Sequence, residues 1–405
     1  MLTTITHARL FDGENVLEAD TVTLEDDRII DVGGPTPRGA DVLDARGATL
    51  LPGLVDAHVH TSEAALAQAL RFGVTTELEM QGAMTGDAQH RVRRDPRLAD
   101  VRSSGFALTP PGGHPSELFP AGERPGGPPG GDGPRPVMPF ITSPEEAVAW
   151  IPRLVEAGSD YIKLMIDDGT VEGHPGLPCL DQATVDAAVA EAHRHDRLAV
   201  AHALTVDATL SALRAGVDGV THLFMDRPHT TEVVDAMVVS GAFVVACVVL
   251  DASMMGITGE AFADDPRVST RLDPAWLATL RSSIDRYPGG DLDEVLASVA
   301  AVHHAGVDLL VGTDASVPVP YLGGVAHGAS VHHELQLLVR AGLTPVEALR
   351  AATSVPARRF GLHDRGRIAA GLRADLLLVD GDPTTNITDT LALRTVWRAG
   401  VPLKL

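Results

Sequence analysis

Five times along this chain a helix-like stretch runs into a glycine and then a short run of aliphatic or β-branched residues. The segments are Phe72-Gly73-Val74-Thr75-Thr76, Ala157-Gly158-Ser159-Asp160-Tyr161-Ile162, Ala215-Gly216-Val217-Asp218-Gly219-Val220, Ser240-Gly241-Ala242-Phe243-Val244-Val245 and Ala305-Gly306-Val307-Asp308-Leu309-Leu310-Val311. A glycine just past a helix adopts the left-handed conformation that ends it. The apolar run that follows reads as a strand buried on both faces, which implies a parallel sheet. Helix, glycine and buried strand in alternation are βα units. Further strands expected at Leu54–His58, Ser104–Leu108 and Leu198–His202 bring the number to that of an α/β (β/α)8 TIM barrel. The 405 residues accommodate such a barrel, at roughly 250 residues, with additions.

The additions are expected at the ends. Residues 1–52 carry short alternating runs such as Thr21-Val22-Thr23-Leu24 and Arg28-Ile29-Ile30-Asp31-Val32. Residues 362–405 carry Ala374-Asp375-Leu376-Leu377-Leu378-Val379 and Thr395-Val396-Trp397. Both ends predict antiparallel strands that together build one small β-sandwich beside a barrel of residues 53–361. Between Thr109 and Pro136, 17 of 28 residues are Pro or Gly, which excludes regular structure. This stretch follows the third strand, where barrel active-site loops lie. It is a surface loop or a lid over the site, with Gly112-Gly113-His114 at its stem.

Charge and cysteine content narrow the function. With 32 Lys+Arg against 54 Asp+Glu the formal charge is −22, a surface that repels phosphate backbones and excludes nucleic acid as a partner. Two cysteines, Cys179 and Cys247, make neither a disulfide framework nor a thiolate zinc cluster. The longest apolar run, 242–250, is too short to span a bilayer. The opening MLTTITHARLFDGENV has no basic n-region or apolar run, so neither a signal peptide nor a membrane partner is expected, and the location expected is cytoplasmic. The informative residue is histidine, at 17 copies.

In Val55-Asp56-Ala57-His58-Val59-His60, two histidines one residue apart share one side of a strand. Neutral imidazole is a common zinc ligand, and two on one face begin a metal site. The strand from Leu198 ends in His202, the strand from Gly219 in His222, and the last strand, Leu309-Leu310-Val311-Gly312-Thr313, in Asp314. All strand C-termini of a barrel open onto one face, so four histidines and one aspartate converge there. Any one of them alone would simply meet solvent; five together point to a metal centre.

Lys163 lies within the apolar run Asp160-Tyr161-Ile162-Lys163-Leu164-Met165-Ile166. A buried ammonium is costly unless paired or neutralised. The run allows a salt bridge to Asp167 or Asp168, a snorkelling chain, or a desolvated amine that adds carbon dioxide and becomes an anionic ligand.

With these residues in view, the chain resembles the metal-dependent amidohydrolase superfamily, in its imidazolonepropionase-like and prolidase-like branch. The resemblance runs through Leu51-Pro52-Gly53-Leu54-Val55-Asp56-Ala57-His58-Val59-His60, Gly73-Val74-Thr75-Thr76 and Tyr161-Ile162-Lys163. It continues through His202, His222, Gly312-Thr313-Asp314, Gly342-Leu343-Thr344-Pro345 and Gly371-Leu372-Arg373-Ala374-Asp375. It implies two divalent cations, zinc foremost, with His58, His60 and Asp314 on one, His202 and His222 on the other, and a carbon dioxide-derived carbamate on Lys163 between them. It also implies a substrate contact for His114, although Pro115 stands where the branch has glycine. Leu204 stands where those relatives often carry a carboxylate-binding tyrosine, and His222-Leu223-Phe224-Met225 is apolar too, so a more apolar substrate is expected. His327, following the eighth strand, is a further candidate substrate contact.

The implied activity is hydrolysis of a C–N amide or cyclic amide in a small-molecule substrate by a hydroxide held between the metals, with Asp314 moving its proton. Lactone or ester hydrolysis suits the same site. A mononuclear zinc deaminase of a nitrogen heterocycle is the alternative, but residues 203–206 hold no glutamate to serve it as acid/base. A metal-free binding protein on a retired enzyme fold would have lost ligands, and none is lost here. Relatives of this kind are frequently homo-oligomers.

Overall fold

The computed structural model describes residues 1–118 and 138–403. Most of the Pro/Gly-rich stretch expected to border the site lies outside the described residues. Eight parallel strands form two sheets. Asp100–Ser103, Val74–Glu79 and Leu54–Val59 make a sheet of three; Ile162–Met165, Ala199–His202, Gly219–Thr221, Phe243–Val245 and Leu309–Leu310 make a sheet of five. Isolated bridges join them, Val59 to Ala315 on one side and Leu108 to Leu164 on the other. The ladder is therefore TIM-barrel-like, with both seams held by single bridges and a few backbone hydrogen bonds, such as Ala57 N to Val311 O at 2.8 Å.

None of these strands has an exposed position, as a sheet covered on both faces requires: Ala199–His202 and Phe243–Val245 are buried throughout. The connecting helices begin on side-chain caps, Ser62 onto Ala65 N, Asp181 onto Thr184 N, Thr205 onto Ala208 N. Two of them end on glycines in the left-handed region, Gly216 at φ 83° and Gly241 at φ 68°, where the sequence pattern had placed the stop.

The third strand differs from expectation. Its ladder occupies Asp100–Ser103, before the predicted Ser104–Leu108. The Ser104 N–H donates to Glu79 O at 3.0 Å, the last bond of that ladder, and on the other side the Asp160 carboxylate accepts the Ser103 N–H at 2.9 Å. Pairing resumes only at Leu108, whose N–H donates to Lys163 O at 2.9 Å.

The two ends form two more sheets. One has the order Arg28–Val32, Val22–Glu25, Leu2–Thr6, Asp41–Asp44. The other interleaves both ends of the described chain: Val401–Leu403, Leu393–Arg398, Leu376–Val379, Thr49–Pro52, Arg9–Phe11, Val16–Leu17. Ile5, Leu24, Ile29, Leu50, Leu376, Leu378 and Trp397 pack between them as a core of their own. Beneath the barrel Asp100, 1% exposed, binds Arg365 at 2.5 Å, Arg373 at 2.9 Å and Arg102 at 3.4 Å, tying the third strand to the C-terminal segment. Among the described residues no helix is long and apolar enough to cross a membrane.

Candidate metal centre

The first strand delivers His58 and His60 to the end of the last. The Asp314 Oδ1 lies 3.2 Å from His58 Nε2 and 2.8 Å from His60 Nε2. Despite these distances that oxygen makes no aligned hydrogen bond, and the three atoms lie close enough together to share one ion. The second nitrogen of each ring is spoken for. His60 Nδ1 donates to Gln81 O at 3.0 Å, and His58 Nδ1 lies 3.7 Å from the Cys247 thiol. Such outer partners fix which nitrogen a histidine offers.

A layer below holds the two strand ends in register. Asp56 accepts from Thr313 Oγ1 at 2.6 Å, from Thr313 N at 3.1 Å and from His58 N at 3.2 Å. Burial, reinforced by Glu77, pushes the Asp56 carboxyl up to about 8. Next to it Gly312 leaves no room for a side chain: a Cβ there would stand 2.3 Å from Val245 Cγ1 and 3.0 Å from His58 Cβ.

Lys163 is fully buried on the fourth strand. Its Nζ contacts Thr221 Oγ1, and among the described residues it makes neither the salt bridge to Asp167 or Asp168 nor the snorkelling path that the sequence allowed. Burial lowers its amine to about 7. The His202 and His222 rings lie 4.8 Å apart, as do His58 and His222, so the four imidazoles form one continuous group. His222, Cys247 and Asp314, ending three successive strands, all adopt left-handed backbone, with φ of 70°, 56° and 56°. Non-glycine residues held there cost of order 1–3 kcal/mol each, and such strain gathers at functional sites.

Whether this donor set suits divalent cations is decided by its unsatisfied atoms. Both ring nitrogens of buried His222 and the Asp314 Oδ1 lack hydrogen-bond partners among the described residues. Leaving a buried polar atom bare costs about 1–3 kcal/mol, and a shared cation removes that cost. Burial also holds His58, His202 and His222 well below the usual imidazole range, so each presents a neutral lone pair. Burial alone would raise Asp314, but His60 and the other imidazoles outweigh it and hold the carboxyl at about 2. Three neutral imidazoles, beside a His60 that burial would lower but pairing with the ionised Asp314 shifts upward, fit zinc and its neighbours.

His114 is buried and stacks on His202 at 4.4 Å, with its Nδ1 2.6 Å from Glu117. His327 is placed differently from its expected role. It has no exposed surface, its Nδ1 faces Glu77 at 2.8 Å and its Nε2 faces Ser316 O at 3.0 Å. With both nitrogens engaged, it ties the eighth-strand loop to the second strand instead of presenting an atom to substrate. Reading the sequence missed Asp167, Glu172 and Cys247. Glu172 Oε1 stands 3.2 Å from His202 Nε2, yet in sequence it is thirty residues away in an irregular loop.

A histidine–carboxylate cluster at the C-terminal ends of parallel strands, on a TIM-barrel-like frame, is a candidate metal centre on the face where barrel enzymes place their sites. The protein belongs to the amidohydrolase family, whose sequence pattern it matches over residues 49–403, and it is a hydrolase acting on carbon–nitrogen bonds. The chain is 26% identical over 403 residues to ochratoxinase from Aspergillus niger, covering 88% of this chain and 75% of that one. It is 37% identical over 145 residues to imidazolonepropionase from Deinococcus deserti, 35% of this chain and 32% of that one. A solved Xaa-Pro dipeptidase with bound methionine superposes with a TM-score of 0.75 over the full length of both chains, at 21% identity. The resemblance to the amidohydrolase family is thus sustained, with an imidazolonepropionase among the relatives and a prolidase-type enzyme among the structures of like fold.

Proposed function

We propose that this protein hydrolyses the amide or cyclic-amide bond of a small-molecule substrate at a centre of two divalent cations, with zinc the metal its donors favour. His58, His60 and Asp314 would hold one cation, His202 and His222 the other, and a carbamate on Lys163 both. The strands of residues 1–52 and 362–405 would act as one small sandwich beside a barrel of residues 53–361. The observation that carries the reading is Lys163: a fully buried amine, lowered to about 7, on the strand next to His202. At neutral pH a large share of it is unprotonated. The amine nitrogen then bonds to the carbon of carbon dioxide and releases a proton, replacing a buried cation by an anion that two metals can share.

Bound cations would supply an acidified water and polarise the scissile carbonyl. The chain does the rest. Asp314, ionised and facing the centre, accepts the water proton and delivers it to the departing nitrogen. His58 and His60 face Asp314 from the first strand, while Asp56 and Thr313 fix the height of both strand ends. Leu204, Leu223 and Phe224, buried beside the fifth- and sixth-strand ends, bring no charge there, which favours an uncharged substrate group.

The test is metal content per chain for the wild type and Lys163→Ala, both produced with zinc and bicarbonate. Two equivalents falling to one or none in the variant support the reading, and an amide and lactone panel then separates bond types. One equivalent that ignores the substitution overturns it. A second reading, the mononuclear deaminase, gains one point from Glu172, which brings to His202 the glutamate that residues 203–206 lack. Ammonia released from nitrogen heterocycles, and lost in Glu172→Gln, would select it.

A further inference from the structure

The candidate centre is open on one side. The His60 and Asp314 side chains are 28% and 19% exposed, whereas His58, Lys163, His202 and His222 are at most 4% exposed. Substrate therefore reaches the centre past His60, and Gln81 lies there. Its backbone O accepts from His60 Nδ1 at 3.0 Å, which ties it to that ligand. Side chains on the second strand alternate between two faces. Leu78 packs into the hydrophobic core, while Glu77 accepts from Thr61, the residue after His60, and Glu79 accepts from Ser103. Gln81 continues the row of Glu77 and Glu79, just past the strand end at Glu79. It is 8% exposed, yet its Oε1 is buried without a hydrogen-bond partner among the described residues. The N–H groups beside it are already used: Gly82 donates to Gly105 O at 3.2 Å and Met84 to the Glu79 carboxylate at 2.9 Å.

A buried acceptor left bare is costly, and a ligand that brings a donor removes the cost. We infer that Gln81 is a specificity-determining residue whose Oε1 accepts the N–H of the scissile amide. The substrate class is then a primary or secondary amide, open-chain or lactam. Esters and lactones bring only acceptors to that position, and amides of a secondary amine have no N–H. All of these leave the oxygen bare, and a site built to pair an N–H rejects analogues that lack it. The contact also keeps the departing nitrogen on the side of Asp314, whose Oδ1 lies 2.8 Å from the same His60. Packing alone does not account for a carboxamide here, since methionine would fill similar space without an unpaired oxygen. This inference rests on the hydrolase reading for its reaction and narrows the bond that the reaction breaks.

The experiment needs no turnover. Calorimetric titration of the zinc-loaded full chain compares N-butyl methylphosphonamidate, its N-methyl derivative and butyl methylphosphonate. The three share one anionic phosphoryl group and one butyl arm, and only the first has an N–H. It should bind about tenfold or more tighter than either of the others, the worth of one buried hydrogen bond. In Gln81→Met, which has no acceptor, that ratio should fall toward one. Equal binding of the three by the wild type overturns the role of Gln81 and leaves the hydrolase reading standing. A ratio that survives in Gln81→Met also overturns it, since the preference then comes from another group. If none of the three binds, the metal-centred reading fails and the Gln81 contact falls with it. Should Gln81→Met not fold, the comparison of the three probes on the wild type decides alone: a preference for the N–H compound over both others supports the contact, and its absence overturns it.

Discussion

Thr313 donates its hydroxyl hydrogen bond to Asp56 at 2.6 Å, joining the last barrel strand to the first directly beneath His58 and Asp314. Both partners are fully buried. Thr313→Val keeps the shape and removes the donor, so one Asp56 oxygen is left bare. A loss of about 1–3 kcal/mol in denaturant unfolding is expected, together with weaker zinc retention on dialysis. Stability and zinc retention both matching the wild type would show that this bond does not set the register of the centre.

Gly312 sits between Val245 and His58 with no space for a methyl group. Gly312→Ala must push one of them aside, at a cost of about 1–3 kcal/mol. Because His58 is one of the three side chains that crowd it, with Val245 and Cys247, metal content should fall along with thermal stability. A folded variant with full metal content would place the strain on Val245 and Cys247 instead of His58.

The buried lysine gives a pH signature in the metal-free, bicarbonate-free protein. Unfolded, Lys163 keeps its proton up to about 10.5; folded, burial releases it near 7. Between those values the unfolded chain binds more protons, so stability rises with pH, by up to about 1.4 kcal/mol per unit and roughly 4 kcal/mol in all. Unfolding curves of wild type and Lys163→Met from pH 7 to about 10 should therefore diverge, the wild type gaining on the variant. Parallel curves would mean that the amine is solvated.

Asp100 is the common anion of a buried arginine group. Asp100→Asn leaves Arg365 and Arg373 short of charge where water does not reach, and about 3–5 kcal/mol should be lost. The damage is remote from the centre, so kcat of the fraction that remains folded should hold while the melting temperature drops. A kcat that falls as far as the stability would show that the barrel floor and the site are mechanically coupled.

Chelation tests the cations themselves. Zinc present at about a hundred times its dissociation constant stabilises by about 2.7 kcal/mol per site. Dialysis against a chelator should lower the melting temperature, and returning zinc should restore it, with Lys163→Ala showing a smaller shift than the wild type.

The sequence exposed what depends on spacing along one element. The βα rhythm, the strand-end histidines and the glycine stops could all be read because each strand places its last residue on the same face. What escaped was set by loops. Glu117, Asp167 and Glu172 come to His114 and His202 along irregular backbone, with no periodicity to predict where they turn. His327 looked like a contact because it follows the eighth strand; its burial depends on Glu77, 250 residues away. The third strand was displaced for a similar reason, since its Ser103 N–H is taken by the side chain of Asp160, 57 residues away.

The six-stranded sheet places Thr49–Pro52 between Arg9–Phe11 and Leu376–Val379, and Thr49 donates to Gly381, 332 residues further on. During synthesis on a ribosome, at about 5–20 residues per second, the early strands wait on the order of 15 seconds to a minute for their partners. Throughout that interval the Thr49–Pro52 edge offers its backbone to any passing strand. Yield in a cell is therefore governed by how that edge is shielded while the barrel is still being made, and slowing translation late in the message should cost more folded protein than slowing it early.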